Sequence, residues 1–210
     1  MHTHTCYSED GTTTLKELVH YAKKSRLDGV AVTDHNTVAG AMKLVGNSEL
    51  VIIPGVEVGT LNGEILAINV KTNITPKLGL TETVEKIHNL GGIVVAAHPT
   101  SVLKTNLGFS ITAKSNLDAV EVINSASFPF FLTTGLSRRL AEQLRLPQTA
   151  GSDAHHAVEI GTAFTLVEAD SNPEDIGEAI RKGASIPCGK PMAWAKRIQR
   201  ASFDLKRAII

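Results

Sequence analysis

The segment GVAVTDH, residues 29–35, joins a short apolar run to a pair of residues that bind metal ions well. Its β-branched residues predict a buried strand over 29–33. The same arrangement recurs in IVVAAHP, residues 93–99, and in QTAGSDAH, residues 148–155. Side chains that follow the carboxyl ends of parallel strands meet on one side of a barrel, so these segments predict a shared site.

Between these segments the sequence alternates between helical and extended patterns. Helices are predicted over 15–26, 37–45, 80–90, 132–144 and 173–182, and strands over 29–33, 50–58, 64–70, 93–97, 119–123, 148–150 and 163–167. Asn62-Gly63 lies between two of these strands and predicts a hairpin. The alternation favours a mostly parallel sheet in an α/β domain. Six or more candidate ligands at strand ends fit a closed or nearly closed barrel better than an open sheet.

The composition is that of a protein with one ordinary core. The chain has 210 residues, which suits a single domain over 1–210, and its Lys+Arg and Asp+Glu counts are both 21. The zero net charge gives no sign of non-specific nucleic-acid binding. Two cysteines, Cys6 and Cys188, imply no disulfide framework. The polar start is unlike a signal peptide and no apolar run reaches about 20 residues, so we expect a soluble, cytoplasmic protein.

Candidate metal ligands are concentrated near the start of the chain and at the predicted strand ends. They are His2, His4, Asp10, Asp34, His35, Glu57, His98, Asp153 and His155. His2 and His4 are two residues apart, so on an extended segment their side chains face the same side and can chelate one ion. Imidazole and carboxylate together suit Zn, Mn and Fe. The pattern therefore indicates a metal-dependent hydrolase.

Six of these segments, in this order, resemble the motifs of the PHP (polymerase and histidinol phosphatase) family of metal-dependent phosphoesterases. The segments are His2-Thr-His4, Ser8-Glu-Asp10-Gly11, Thr33-Asp-His35-Asn36, Pro54-Gly-Val-Glu57, Ala97-His98-Pro99 and Gly151-Ser-Asp153-Ala-His155. The resemblance implies a distorted TIM-like barrel of about seven β/α units, written (β/α)7. It also implies two or three divalent ions, Mn, Zn or Fe, at the mouth of this barrel.

The resemblance further implies how the ligands divide among the ions. Carried over by motif, one ion would be held by His2, His4, Glu57 and Asp153, a second by Glu57 and His98, and a third by Asp10, His35 and His155. As a bridging carboxylate, Glu57 would keep two ions at a working separation. Asp34 would orient a ligand without touching the ion, a service that metal-bound imidazoles require. Such ions neutralise phosphate oxygens and activate water, so both residues are predicted to serve catalysis.

Three positions leave alternatives open. Many small family members have a His where Glu64 stands in this chain, so either Glu64 replaces it as a ligand or the second ion is held more weakly. Glu121 and Asn124 lie in the later segment VEVIN, residues 120–124, and suit either a further ligand or a structural role.

Candidate substrate-binding residues are basic. Lys104, Arg138 and Arg139 could hold a non-reacting phosphate or carboxylate, although a solvated helix face is the favoured explanation for these residues. The basic tail, residues 190–210, contains a stripe at helical spacing formed by Trp194, Ile198, Ala201 and Leu205. It predicts either a helix packed on the barrel with a wet basic face or a guide for anionic substrate, nucleic acid or membrane surface.

Three classes of function remain open. The first is a phosphatase for small phosphomonoesters, with nucleotides such as nucleoside 3′,5′-bisphosphates leading and histidinol phosphate as a narrower option. The second is a nuclease that trims oligonucleotides in the 3′-5′ or 5′-3′ direction, and the neutral charge makes nucleic acid the less favoured partner. The third is a non-catalytic metal-binding module. The oligomeric state is left open.

Overall fold

The secondary structure follows the predicted alternation. The computed structural model describes residues 1–46, 48–102, 106–108 and 111–209, with side chains as far as residue 202. The helices are α1 (Leu15–Lys24), α2 (Ala39–Leu44), α3 (Leu80–Asn89), α4 (Phe130–Leu144), α5 (Pro173–Arg181) and α6 (Trp194–Ile209). The strands are β1 (Gly29–Val32), β2 (Val51–Thr60), β3 (Gly63–Ile68), β4 (Ile93–Ala96), β5 (Ala119–Asn124), β6 (Gln148–Gly151), β7 (Ala163–Val167) and β8 (Ser185–Gly189). All were predicted to within a few residues except β8, which was missed.

One six-stranded sheet, in the order β1-β2-β3-β4-β5-β6, forms the wall of the barrel. The pairs β1–β2, β4–β5 and β5–β6 are parallel, whereas β2–β3 and β3–β4 are antiparallel. The expectation of a mostly parallel sheet is therefore only partly right. The predicted hairpin explains the difference, because Thr60 pairs with Gly63 and the chain returns at once as β3.

The first residues of the chain close the gap between the two edges of this sheet. Beyond the end of β1, the Thr33 N–H donates to the Thr3 oxygen at 2.9 Å. Beyond the end of β6, the His4 N–H donates to the Ala154 oxygen at 2.9 Å, and Thr3 forms a parallel bridge with Ala154. Residues 2–4 thus act as a seventh strand at the mouth of a distorted TIM-like α/β barrel, as expected.

The apolar core is divided by strand alternation into two layers. Val30 and Val32 belong to the cluster that packs against the helices, whereas Ala31, between them on β1, belongs to a second cluster. This second cluster also contains Leu66 and Val95, and it fills the interior of the barrel. The antiparallel pair β7–β8 packs beside β6. Among the described residues, none of the helices combines the length and the hydropathy needed to span a bilayer.

Gly63 is the position in the hairpin where a larger residue is expected to be most harmful. Its φ is +139°, and an added Cβ would lie 2.5 Å from backbone atoms of Asn106 and Leu107. We expect Gly63→Ala to lower the free energy of unfolding by about 2 kcal/mol, as measured by chemical denaturation. Gly59→Ala is the matched control, because an added Cβ there meets nothing within 4 Å. Equal losses in the two variants would contradict this prediction.

Candidate metal centre

Strand alternation directs two glutamates into the mouth of the barrel. On β2, Glu57 is four residues from Ile53 and shares its face, and on β5, Glu121 is two residues from Ala119. Ile53 and Ala119 both belong to the interior cluster. Both carboxylates are buried, and a buried charge is costly unless it is paired. The pairing groups are the predicted histidines.

Glu57 lies at the middle of the site. Its Oε2 is 2.9 Å from His2 Nε2 and 3.1 Å from His4 Nε2. The same oxygen is 3.4 Å from His35 Nδ1, and Oε1 is 3.1 Å from His98 Nε2. A carboxylate oxygen has two lone pairs, so three nitrogens around Oε2 exceed an ordinary hydrogen-bonding arrangement. The convergence is that of a ligand set.

A second concentration of donors surrounds Asp10. Its Oδ2 lies 2.8 Å from His155 Nε2 and 3.4 Å from His35 Nε2. The imidazoles of His4 and His155 have their centroids 4.2 Å apart, so the two concentrations are continuous. Asp10 Oδ1 is buried and, within the described part of the chain, has no hydrogen-bond partner. A buried carboxylate oxygen with this freedom, next to two imidazoles, fits a divalent cation.

Asp153 completes the site from the end of β6. Its Oδ1 is 3.6 Å from His4 Nε2 and 3.8 Å from His2 Nε2. Its φ is +51°, and His98 also has a positive φ of 29°. Such backbone conformations are uncommon outside glycine and concentrate at functional sites. The chain therefore accepts local strain where it presents these two side chains.

All eight residues predicted as metal ligands are brought together. Donor atoms within 4.8 Å of one another form four groups: His4, Asp10, His35 and His155; His2, Glu57 and His98; His2, His4 and Asp153; and His35, Glu57 and Glu64. Glu64, which the sequence left open, belongs to the last group, and its Oε2 is 3.6 Å from His98 Nε2. The division of these residues among individual ions stays a prediction.

Three histidines each have a hydrogen-bond partner on Nδ1, so that Nε2 faces the centre of the site. The His2 Nδ1–H donates to Glu121 Oε1 at 3.1 Å, and the His155 Nδ1–H donates to a main-chain carbonyl at 3.0 Å. His4 Nδ1 lies 3.2 Å from Ser8 Oγ. Partners on the far nitrogen fix the tautomer and the ring angle of a metal-binding imidazole. The centre is therefore arranged for ligation through Nε2.

The electrostatics of the centre are those of mutually compensating charges. Burial disfavours the charged form of His2, but the carboxylates of Glu57 and Glu121 outweigh burial and raise its pKa to about 9. Burial likewise opposes ionisation of Glu57, yet His2 and the other imidazoles hold the pKa of this carboxyl well below its ordinary value. For His4 burial prevails and lowers the pKa. A bound cation would neutralise the same carboxylates in place of protons.

Glu121 and Asn124 lie one step behind the ligands. Glu121 Oε2 accepts the His98 N–H at 2.9 Å and the Asn124 Nδ2–H at 2.9 Å. Asn124 also donates to Asp153 Oδ2 at 3.0 Å. Glu121 belongs to no donor group among the described residues, and Asn124 Oδ1 already accepts the Ser127 N–H at 3.0 Å. The structure therefore favours the positioning role for both, and an acidic residue on the inner face of an apolar strand was the signal for Glu121.

We expect Glu121→Gln to weaken metal binding by about 10–100-fold while leaving the fold intact. The amide keeps the shape of the side chain but removes the charge that stabilises the His2 Nδ1–H. The measurement is a metal titration of the stripped protein. Glu49→Gln is the control, because Glu49 is exposed and pairs with Lys23 away from the site. Equal affinities in Glu121→Gln and wild type would show that His2 does not need this charge.

Asp34 holds the turn that follows His4. Its Oδ1 accepts the Thr5 N–H at 2.6 Å, and its Oδ2 accepts the Thr5 Oγ1–H at 2.8 Å. Burial raises the pKa of Asp34, although the bonds from Thr5 oppose this effect. Gly40 packs closely, since an added Cβ would lie 2.3 Å from Asp34 Oδ2. Asp34 thus holds the backbone next to His4 by hydrogen bonds to Thr5. Its role in catalysis stays a prediction.

The two arginines predicted to bind substrate have no described contact with the candidate metal centre. Lys104 lies outside the described residues. Arg138 and Arg139 are exposed on α4, and no hydrogen bond or ion pair links either to the donor groups within the part that the structure describes. Their role in substrate binding stays a prediction.

The basic tail forms α6, but not with the face that was predicted to pack. Trp194 and Ile198 are each 68% exposed, so these two residues of the proposed apolar stripe do not pack on the barrel. Arg197 and Arg200 face the barrel mouth instead, and Arg200 Nη1 donates to the Asp153 main-chain oxygen at 3.3 Å. The expectation of a wet basic face is therefore wrong for these two arginines, because main-chain carbonyls at the mouth supply acceptors for them.

Sequence comparisons agree with the motifs. The PHP domain family matches residues 1–132, and the PHP-associated family matches residues 134–185. An uncharacterized protein of Methanocaldococcus jannaschii is 34% identical over 138 residues, covering 60% of this chain and 80% of that protein. The 5′-3′ exoribonuclease Rnm of Escherichia coli is 39% identical over 85 residues, which is 37% of this chain and 29% of the enzyme.

A similar structure supports the fold assignment. It is that of a two-domain protein from Bacteroides vulgatus that contains a predicted PHP-like metal-dependent phosphoesterase. The TM-score is 0.71 at 16% identity, and the match covers 90% of this chain but 63% of that one. The family match over residues 1–132, together with eight ligand candidates gathered at one barrel mouth, shows that this chain belongs to the PHP domain family.

Proposed function

We propose that this protein is a metal-dependent phosphoesterase that removes phosphate from small nucleotides. The observation that carries the proposal is the convergence of imidazole and carboxylate donors around Glu57 and Asp10. This donor set suits two or three ions of Mn, Zn or Fe. Membership of the PHP domain family and the PHP-like phosphoesterase domain of the similar B. vulgatus protein support the same class of reaction.

The bound ions, Glu57 and the apolar cluster below would each have a separate role in the reaction. Bound divalent ions supply charge neutralisation of the phosphate and a water of lowered pKa. Glu57 faces His2, His4 and His35 with one oxygen and His98 with the other, so it keeps these donors at a fixed separation. The apolar cluster below excludes water from one side, which strengthens the electrostatic interactions in the site.

The exposure of the ligands indicates the side from which substrate would enter. The side chains of Asp10 and His35 are 46% and 25% exposed, whereas those of His2 and Glu57 are at most 1% exposed. A phosphate would therefore approach past Asp10 and His35. The zero net charge of the chain favours small substrates over long nucleic acids. Nucleoside 3′,5′-bisphosphates remain the leading candidates.

Trimming of an oligonucleotide is the second candidate function. Two observations favour it, namely the similarity to an E. coli 5′-3′ exoribonuclease and the placement of a basic helix at the barrel mouth. Because the matched region is 29% of the exoribonuclease, its activity is transferred here as a hypothesis only. The chemistry at the ions would be the same, with the terminal nucleotide in place of a free one.

The deciding experiment is product analysis after the metal has been stripped and Mn²⁺ restored. The panel comprises nucleoside 3′,5′-bisphosphates, nucleoside 5′-monophosphates, sugar phosphates, histidinol phosphate and a short RNA. We expect metal-dependent release of inorganic phosphate from the bisphosphates. Shortened RNA without phosphate release from nucleotides would favour the second candidate. No turnover of any member, with ions confirmed bound, would overturn both and favour a non-catalytic metal-binding module.

A further inference from the structure

An aromatic pair lies exposed at the rim of the barrel mouth. Phe128 follows β5 and Trp194 begins α6, and their ring centroids are 5.7 Å apart at an interplanar angle of 69°. Phe128 is 39% exposed and Trp194 is 68% exposed. Phe131 and Ile198, three and four residues farther along their segments, are exposed as well. Exposed aromatic side chains in contact with each other indicate a binding surface.

The pair is tied to the metal centre from two sides. Asn124 donates to Asp153 Oδ2 at 3.0 Å, and its Oδ1 accepts the N–H of Ser127, which directly precedes Phe128, at 3.0 Å. On the other side, Arg200 donates to the main-chain oxygen of Asp153 at 3.3 Å. Trp194 precedes Arg200 by six residues, which is about 9 Å along the helix axis. The same helix therefore carries both the exposed indole and an arginine that contacts the backbone of a candidate metal ligand.

Arg197 places a positive charge beside the aromatic pair and anchors α6 next to it. Arg197 lies 5.7 Å from the centroid of the Phe128 ring. Its guanidinium donates to the main-chain oxygens of Ala126 at 2.9 Å and of Ser127 at 3.0 Å, so it anchors α6 to the loop before Phe128. Aromatic side chains beside fixed guanidinium groups are the usual means by which proteins bind bases next to an anionic backbone.

We propose that Phe128 and Trp194 form the base-binding surface for the nucleotide whose phosphate is hydrolysed at the metal centre. The proposal rests on the proposed function, because it places a base relative to a phosphate held by the ions. Every nucleobase has a π-face, so stacking is tolerant of base identity. The surface therefore predicts a preference for nucleotides over base-free sugar phosphates, with little discrimination among the four bases.

The fluorescence of Trp194 can be used to detect the binding of a base at this surface. It is the only tryptophan in the chain, so the intrinsic tryptophan fluorescence of the protein comes from this position. We expect adenosine 3′,5′-bisphosphate to quench this fluorescence in the metal-loaded protein, and ribose 5-phosphate, which lacks a base, to leave it unchanged. Quenching by a short RNA at lower concentrations than by the free nucleotide would identify a strand end as the source of the base.

Kinetics supply the second readout. We expect Trp194→Ala to raise KM for adenosine 3′,5′-bisphosphate about tenfold, with little change in kcat and no change for ribose 5-phosphate. Trp194→Phe should restore most of the affinity, whereas Leu90→Ala, an exposed position at the end of α3, serves as the neutral control. An equal loss for both substrates, or none, would overturn the base-binding assignment. Base-dependent quenching without hydrolysis would instead retain base binding and overturn the proposed reaction.

Discussion

Replacement of Glu57 by Gln is expected to reduce phosphoester hydrolysis by about a thousandfold or more in a protein that remains folded. The loss corresponds to about 4 kcal/mol of transition-state stabilisation. Gln preserves the length of the side chain but removes the negative charge that faces His2, His4 and His35 through one oxygen and His98 through the other. No other described carboxylate lies within 3.4 Å of all four imidazoles, so none can take the place of Glu57.

Two quantities are measured to test the effect of Glu57→Gln. The first is kcat/KM for adenosine 3′,5′-bisphosphate after Mn²⁺ is restored, and the second is the metal content of the same sample. Glu64→Gln is the matched control, because Glu64 also lies near His98 but is half-buried at the edge of the site. We expect a smaller loss there, of about tenfold. Full activity of Glu57→Gln with normal metal content would eliminate the bridging role.

Much of the fold could be predicted because local signals coincide with the tertiary structure. Thr14 and Glu17 form a capping box at the start of α1, and Asn172 caps α5 with Pro173 at its first position. The strand β8 was missed for an equally local reason. Its five residues include Pro187 and Gly189, both of which disfavour strands, and its stability comes from pairing with β7.

The residues that the structure gathers at the barrel mouth could be named from the sequence because each lies in a short segment with its own chemical signature. The residues that orient them carry a weaker signature, since a polar residue in an apolar strand indicates that it has a role but not which role. Glu121 and Asn124 became interpretable only when the barrel placed β5 beside His2 and Asp153. Arg200 is positioned by a main-chain carbonyl just beyond the end of β6. The sequence pattern of the tail carries no information about that carbonyl. The amphipathic pattern of α6 was correct for a helix and misleading about which face it buries.

Removal of the metal is expected to lower the melting temperature of the protein by about 8–16 °C. Ions that bind only the folded state stabilise it by about 4 kcal/mol when the free ion exceeds its dissociation constant a thousandfold. For a chain of this size, each 1 kcal/mol shifts the melting temperature by about 2–4 °C. The buried carboxylates of Glu57 and Asp153 make the effect large, because without ions the imidazoles alone must balance their charge.

Calorimetry of the stripped protein, before and after addition of Mn²⁺ or Zn²⁺, measures this shift. Glu57→Gln is expected to show a smaller gain on metal addition, because a ligand common to two donor groups is lost. Glu49→Gln, which changes an exposed carboxylate, should behave as wild type. Identical melting temperatures for stripped wild type with and without an excess of added ion would mean that the folded state does not bind these ions in preference to the unfolded state. The donors around Glu57 would then be a self-compensating charge network, and the argument for metal-dependent catalysis at this mouth would lose its physical basis.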